Sequence, residues 1–247
     1  TINILTRTSN RPNYFAECRN SILNQSYPNI RHLVSVDDLS TYEYVKKNGV
    51  LDKNICKNIR IPRINSAHMP YNLYMNNLLK MVDSGWILFL DDDDILLDKN
   101  SILNLQKYLP KIPSILIFKT IYGDSFKPIL YFKKKIEKND ITSNCFIFHC
   151  YLKNKSYWND QKASDFFFLK KLSHHSNIFW LDRVITKVNN ISLCGLGYRT
   201  DKPLNNDLKE KIIFENLKLS CQTIYSNLII NEKCFLNNYF DNIYVLN

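Results

Sequence analysis

Trp86-Ile87-Leu88-Phe89-Leu90 is an unbroken apolar run that opens directly into Asp91-Asp92-Asp93-Asp94. An apolar run with no polar alternation predicts a strand covered on both faces, the usual case in the parallel sheet of an α/β domain. Upstream, Ile2 to Thr6 predicts a short first strand, followed by the polar loop Arg7-Thr8-Ser9-Asn10-Arg11-Pro12. From Asn13 to Gln25, Tyr14, Cys18, Ile22 and Leu23 recur at helical spacing, and Pro28 stops the helix. Arg31 to Val36 predicts a second strand, which also finishes in acids, Asp37-Asp38. Strand, helix and strand at this spacing form a βαβ unit, whose right-handed crossover puts both strand ends on one edge of the sheet. Ligands bind at that edge in such sheets, so both acid clusters are expected to face one crevice.

The pattern continues in the same class. Thr41 to Lys47 predicts a helix, Asn58 to Pro62 a short edge strand, and the segment from Pro70 to Ser84 a helix leading into the Trp86 strand. A further helix is expected from Asp98 or Lys99 to Tyr108, where Asp94 would act as a cap or turn residue. Ile115 to Lys119, Ile129 to Phe132, Cys145 to His149 and Ile178 to Leu181 predict strands, with a helix over Asp165 to Leu172. Beyond Asn205 a long amphipathic helix is expected, roughly Asp207 to Asn227, with an apolar stripe through Ile212, Ile213, Leu217, Leu219, Ile224 and Tyr225. The chain thus divides into an α/β domain over residues 1–204 and a helical extension over 205–247. The extension is expected to pack on the domain or on a second subunit as a homodimer, with a peripheral membrane contact as the less favoured use.

Composition and the acid run change this picture in four ways. A chain of 247 residues that is 45% hydrophobic and 13% aromatic can bury a full core. It holds only five glycines, and neither G-x-G-x-x-G nor the P-loop pattern occurs, so phosphate must be handled by other means. Four adjacent carboxylates at a strand end repel one another and are most easily kept ionised by a divalent cation with oxygen ligands, a solvated acidic loop being the alternative. The seven cysteines are scattered, odd in number and free of C-x-x-C spacing, which fits reduced thiols and no structural zinc.

The formal charge of +10 admits nucleic acid, an anionic membrane surface or an anionic substrate as partner. Lysine runs such as Lys133-Lys134-Lys135 and Lys170-Lys171 come without any nucleic-acid-binding motif and read as solvated faces. No stretch reaches the roughly 20 apolar residues of a membrane span, and there is no secretory signal. The expected location is cytoplasmic, with a position at the membrane periphery as the alternative. The start at Thr1, directly in a strand, reads as a trimmed beginning.

A family resemblance accompanies these residues. Thr6-Arg7-Thr8 after the first strand, Asn24-Gln25-Ser26-Tyr27-Pro28, Asp37-Asp38, and Phe89-Leu90 running through the four aspartates to Ile95-Leu96 resemble the family 2 glycosyltransferases of GT-A fold. The likeness continues through Tyr157-Trp158-Asn159-Asp160, Ser164-Asp165-Phe166-Phe167-Phe168-Leu169 and Ile178 to Asp182, covering about Ile2 to Val188 in the family's order. It implies a Rossmann-like, mostly parallel sheet flanked by helices. The implied activity is metal-dependent, inverting transfer of a sugar from a UDP-sugar to an acceptor hydroxyl on a glycan, protein or lipid carrier, with Mn2+ or Mg2+ as cofactor.

The resemblance also implies roles. Asp93 would bind the metal with Asp91 assisting, as in the family's D-x-D motif, and Asp92 would lie against the ribose. Asp38 would accept a hydrogen bond from uracil, and Thr6, Arg7 and Thr8 would line the nucleotide pocket. Asp165, at a helix start that stabilises its charge, would be the catalytic base, with Asp160 in reserve and a plain helix cap as the competing role. Trp158 is a candidate sugar platform, whereas Trp86 and Trp180 are expected in the core. His149, His174 and His175 read as ordinary residues rather than metal ligands, and the Cys194 to Arg199 segment as a lid carrying a phosphate ligand or as a plain turn. One departure stands out: the family often has arginine before the asparagine matching Asn76, and this chain has Met75. The contact that arginine makes is therefore either absent or made by another group, such as Arg7, Arg11, Arg63 or His68. A nucleic-acid-binding protein and a nucleotidyltransferase on a related fold are the competing functions.

Overall fold

The computed structural model describes residues 1–62, 64–65, 67–129 and 131–189. The predicted tail helix and the Cys194 to Arg199 segment therefore lie outside the described residues, as does Arg63. The elements run β1 (Ile2–Arg7), α1 (Pro12–Leu23), β2 (Ile30–Val36), α2 (Leu39–Lys47), β3 (Ile55–Lys57), α3 (Leu73–Lys80), β4 (Trp86–Phe89), β5 (Asp94–Leu96) and α4 (Ser101–Lys107). They continue with β6 (Ile115–Tyr122), β7 (Ser125–Lys127), β8 (Phe146–His149), α5 (Ser164–Ser173) and β9 (Ile178–Val188).

The strands form one mixed sheet in the order β3-β2-β1-β4-β8-β6-β9-β5, with β7 on β6. The half built from β3, β2, β1 and β4 is parallel, and β6 pairs β9 in parallel; β8 enters antiparallel between β4 and β6. Most residue pairs across the sheet are parallel, as expected. The register Thr6↔Val34 and Leu5↔Phe89 brings the carboxyl ends of β1, β2 and β4 to one edge, so Asp37-Asp38 and the four aspartates share it.

Alternate residues of each strand go to opposite cores. Leu5, Ile87, Phe89, Ile117, Phe146 and Phe148 face α3 and α5 in one cluster. Ile4, Leu88, Leu90, Leu116, Phe118 and Ile147 face α1 and α4 in the other. This two-sided burial is why the Trp86 run has no polar alternation. The turn into β4 needs Gly85, which has φ +87°, and a Cβ there would lie 2.3 Å from the Thr1 carbonyl oxygen.

Several predicted elements are corrected. Ile129 to Phe132 is not a strand: Tyr131–Lys133 forms a 3-10 turn with Ile129 and Phe132 exposed, and the strand of this region is β7, paired to β6 through the Gly123 turn. The edge strand lies at Ile55–Lys57 rather than Asn58 to Pro62, because Asn58 folds back onto Ser35 and the Val36 and Cys56 carbonyls. Asp94 does not cap α4; its N–H closes a turn on the Asp91 carbonyl at 2.9 Å and it starts β5, which pairs antiparallel with β9, so β9 runs on to Val188 instead of ending at Leu181. α3 occupies only Leu73–Lys80, after a 3-10 turn at Pro70–Asn72, and α4 starts at Ser101.

Candidate functional site

The acids after β4 are held by two arginines, Arg7 at the end of β1 and Arg11 at the N-cap of α1. Arg7 meets Asp91 as a fork, Nε to Oδ1 at 2.8 Å and Nη2 to Oδ2 at 2.9 Å, the strongest geometry for such a pair. Ser143 Oγ donates to the same Oδ2 at 3.1 Å, and Arg7 Nη1 donates to Asn72 Oδ1. The Arg7 guanidinium also lies over the rings of Tyr71 and Trp158, at 5.2 and 5.5 Å. Arg11 binds Asp92 through Nε at 3.0 Å and through Nη2, and reaches Asp93 Oδ2 with Nη1 at 3.0 Å.

Burial lifts the Asp93 carboxyl above its usual range against the pull of Arg11. Asp94, buried beside the charges of Asp93 and Asp91, is raised well above that range, because three adjacent carboxyls cannot all ionise cheaply away from water.

Asp165 is the second residue of α5. Ala163, in the left-handed conformation at φ 59°, occupies the cap position, so Asp165 is not the cap residue. Its Oδ1 accepts the Phe166 N–H at 2.8 Å. Burial pushes its carboxyl up to about 6, opposed by that hydrogen bond and by Arg7, and assisted by Asp91. A cavity of about 240 Å3 is lined by Arg7, Asp91, Asp93, Asp94 and Asp165 together with Asn72, Ser143, Asn144 and Trp158. The structure thus gathers Arg7, Asp91, Asp93 and Asp165 from three separate elements into one acid-walled space.

The other predicted residues sit elsewhere. Thr6 is fully buried, and its hydroxyl donates to the Leu90 carbonyl at 2.7 Å and meets His32 Nε2. Thr8 Oγ1 is 2.7 Å from Tyr44 Oη. Asp92 is fully buried beneath Arg11, outside the cavity wall. Asp38 is the N-cap of α2, accepting the Thr41 N–H at 2.7 Å and the Ser40 hydroxyl at 2.9 Å, and it pairs with Arg60. Burial acts to raise its carboxyl, but these bonds and Arg60 outweigh it and hold it below the ordinary value. Asp160 is half-exposed, with Oδ2 3.4 Å from His68 Nε2, and is absent from the cavity wall.

One tryptophan expectation is reversed and the other is met in part. Trp158 is 2% exposed and packs against Phe89 and Phe168, with centroids at 5.0 and 5.5 Å, so its ring is core rather than an open sugar platform. Trp86 and Trp180 are half-buried, each packed against the edge of a core cluster. Met75 is completely buried on α3, which leaves Arg7 as the guanidinium in the cavity wall.

Sequence reasoning missed Asn72, Ser143, Asn144 and Arg60. Asn72 bridges Arg7 and the Gln161 carbonyl, and Arg60 joins Ser9, Asp37 and Asp38. None belongs to a spacing pattern. Asn76, noted from the sequence, holds the loop before α5 through both the N–H and the carbonyl of Trp158, each at 2.8 Å.

The family described as Glycosyl transferase family 2 matches the chain over residues 4–179. Among solved structures, residues 1–349 of TarS from S. aureus superimpose with a TM-score of 0.57 at 19% identity, covering 76% of this chain and 60% of that one. A complex of that fragment with UDP-GlcNAc matches equally, covering 76% and 58%. Glucosyl-3-phosphoglycerate synthase from Mycobacterium tuberculosis, in complex with Mg2+ and uridine diphosphate, gives a TM-score of 0.55 at 12% identity over 80% of this chain and 74% of that one. The mannosyltransferase PcManGT from Pyrobaculum calidifontis, in complex with GDP-Man and Mn2+, gives 0.55 at 14% identity, covering 74% and 55%. The chain therefore spans about 60% of the TarS fragment it matches. No curated protein matches it.

Proposed function

This chain belongs to glycosyl transferase family 2, and on that premise we propose that it transfers a sugar from a UDP-sugar to an acceptor hydroxyl with inversion, assisted by a divalent cation. The observation that carries the reading is Asp165: a carboxyl raised to about 6 lines the same cavity as Asp91 and Asp93. A general base works best when its pKa lies near the working pH. The structures it resembles were solved with UDP, UDP-GlcNAc or GDP-Man, which supports a nucleotide-sugar donor.

The residues present fit a hard cation that shares its coordination with a diphosphate. Among the described residues no group of three or more His, Cys, Asp or Glu is arranged to hold a metal alone. Asp91 and Asp93 nevertheless face one cavity, and Mg2+-like ions are commonly held by one or two carboxylates plus substrate phosphates. Such an ion supplies Lewis-acid neutralisation of the leaving diphosphate. Arg7, fixed by Asp91 and Asn72, adds a positive charge on the same side, where Met75 offers none. Asp165 accepts the proton of the acceptor hydroxyl as its oxygen attacks the anomeric carbon and the bond to the diphosphate breaks. A single attack from the face opposite the leaving group inverts the anomeric centre.

The test is calorimetric titration of the protein with UDP, with and without manganese. Wild-type affinity should rise with the metal, and Asp93→Ala should bind much more weakly in its presence. An Asp93→Ala affinity equal to wild type would remove this residue from the metal site.

Uridine selectivity is assigned to Asp38, since a carboxylate accepts the imide proton of uracil and meets only a lone pair on cytosine. In competition, CDP and GDP should be at least about tenfold weaker than UDP. Asp38→Asn, which keeps the helix cap, should narrow the gap. Equal competition by the three diphosphates in wild type would sink the assignment.

A further inference from the structure

We propose that the surface formed by residues 126–129 and 131–138 docks on an anionic lipid bilayer and holds the mouth of the cavity against it. The chain leaves the cavity wall at Tyr122 and returns to it at Thr142, and Lys127, within the excursion, lies close enough to act on the charge of Asp165 in that wall. That excursion is anchored from within. Pro128 is buried, Tyr131 packs edge-on against Trp180 at 5.5 Å, and Ile136 packs on the main core. Lys127 Nζ donates to the Asn139 carbonyl at 2.7 Å, and the Ile129 N–H donates to Asp140.

With those residues turned inward, three large apolar side chains among the described residues face out. Phe126 is 50% exposed, Ile129 60% and Phe132 74%. The same stretch holds Lys127, Lys133, Lys134, Lys135 and Lys138 against the single acid Glu137. The patch continues onto the helix of the proposed base: Lys138 Nζ lies 5.5 Å from the ring centre of Phe167, itself exposed and two residues after Asp165.

Charge and apolarity together select the occupant. A soluble polyanion is bound through cations and has no use for exposed Ile129 and Phe132. A second copy of this chain would bring the same positive face. An anionic bilayer takes both features, with apolar side chains seated at the acyl boundary and lysine heads among the phosphates. The lysine run that reads from sequence as a solvated face is thus one half of a mixed surface. If the transferase reading holds, the acceptor hydroxyl is carried at that bilayer. The docking itself does not depend on that reading.

The experiment is co-sedimentation of the full chain with vesicles of phosphatidylcholine alone or mixed with phosphatidylglycerol. We expect binding only to the mixed vesicles. The triple variant Lys133→Ser/Lys134→Ser/Lys135→Ser should bind roughly a hundredfold more weakly. The double variant Ile129→Ser/Phe132→Ser should lose vesicle binding but keep binding to heparin, the soluble polyanion probe. Melting temperature and UDP affinity should match wild type in both, since the substituted side chains are exposed and outside the cavity wall. Wild-type failure to bind mixed vesicles, or vesicle binding unchanged in either variant, overturns the proposal. Unchanged vesicle binding in the double variant, with heparin binding lost in the lysine variant, would make the surface a polyanion site instead.

Discussion

Asp165→Asn is expected to lower turnover by about 10²–10⁴-fold while leaving UDP affinity near wild type, because a proton acceptor is removed and the side chain's size is kept. Wild-type turnover should rise with pH through about 6, as the carboxyl lifted by burial ionises. The stability effect has the opposite direction. The folded carboxyl titrates above its ordinary value of 3.8, so between roughly pH 4 and 6 the unfolded chain releases a proton that the native state keeps. The stabilisation from that retained proton is full below the ordinary value and declines as pH rises through about 6. Above it, the native state carries an unfavourably buried charge. Asparagine removes that charge, so the variant's melting temperature should equal or exceed wild type at pH 8 and lie closer to it at pH 5. A side chain that only supported the helix start would show neither the pH-dependent stability gain nor the turnover loss. Near-wild-type turnover would reject Asp165 as the base, and half-exposed Asp160 would have to be tested next.

The second large effect is on the fold. Phe89 is completely buried in β4, with ring centroids 5.0 Å from Trp158, 5.4 Å from Phe168, 5.7 Å from Phe148 and 5.9 Å from Phe146. Phe89→Ala should cost about 3–5 kcal/mol, the range for emptying a packed aromatic site. That is a large part of the roughly 5–15 kcal/mol that holds a domain folded. Urea unfolding should show a lower midpoint at unchanged slope. Leu23→Ala, on the exposed face of α1, serves as control and should change stability by less than about 0.5 kcal/mol. A Phe89→Ala loss as small as the control's would mean that the aromatic cluster relaxes around the cavity. The same cluster backs the site, since Trp158 lies under Arg7 and Phe168 is on the helix that carries Asp165. The variant should therefore also weaken turnover in whatever fraction remains folded.

Much of this site was legible in the order of residues alone. The uninterrupted run from Trp86 to Leu90 could only be a strand buried on both faces, and its partition between two cores bears that out. The βαβ handedness then placed both acid clusters at one edge without knowledge of any contact. Where the reading failed, it failed on short apolar stretches. Ile129 to Phe132 has strand composition, yet Ile129 and Phe132 face out and Tyr131 enters a 3-10 turn. Asp94 followed three acids and read as a cap, whereas its pairing with Val188 in β9 makes it a strand start.

What the sequence determined by itself is the order of the five helices and of the strands β1, β2, β4, β6, β8 and β9 in the described residues, and the edge on which the acids collect. Both follow from local periodicity and from the chirality of crossovers, which act over a few dozen residues at most. Tertiary structure alone decided how those acids are paired. Arg7 lies 84 positions from Asp91 and Arg11 lies 81 from Asp92, so no spacing pattern could join them. It decided equally that Trp158 is core, that Asp92 and Thr6 are turned away from the cavity, and that Asp165 holds its proton up to about pH 6. Those properties come from desolvation and from charges brought close by the fold, and neither exists in the extended chain.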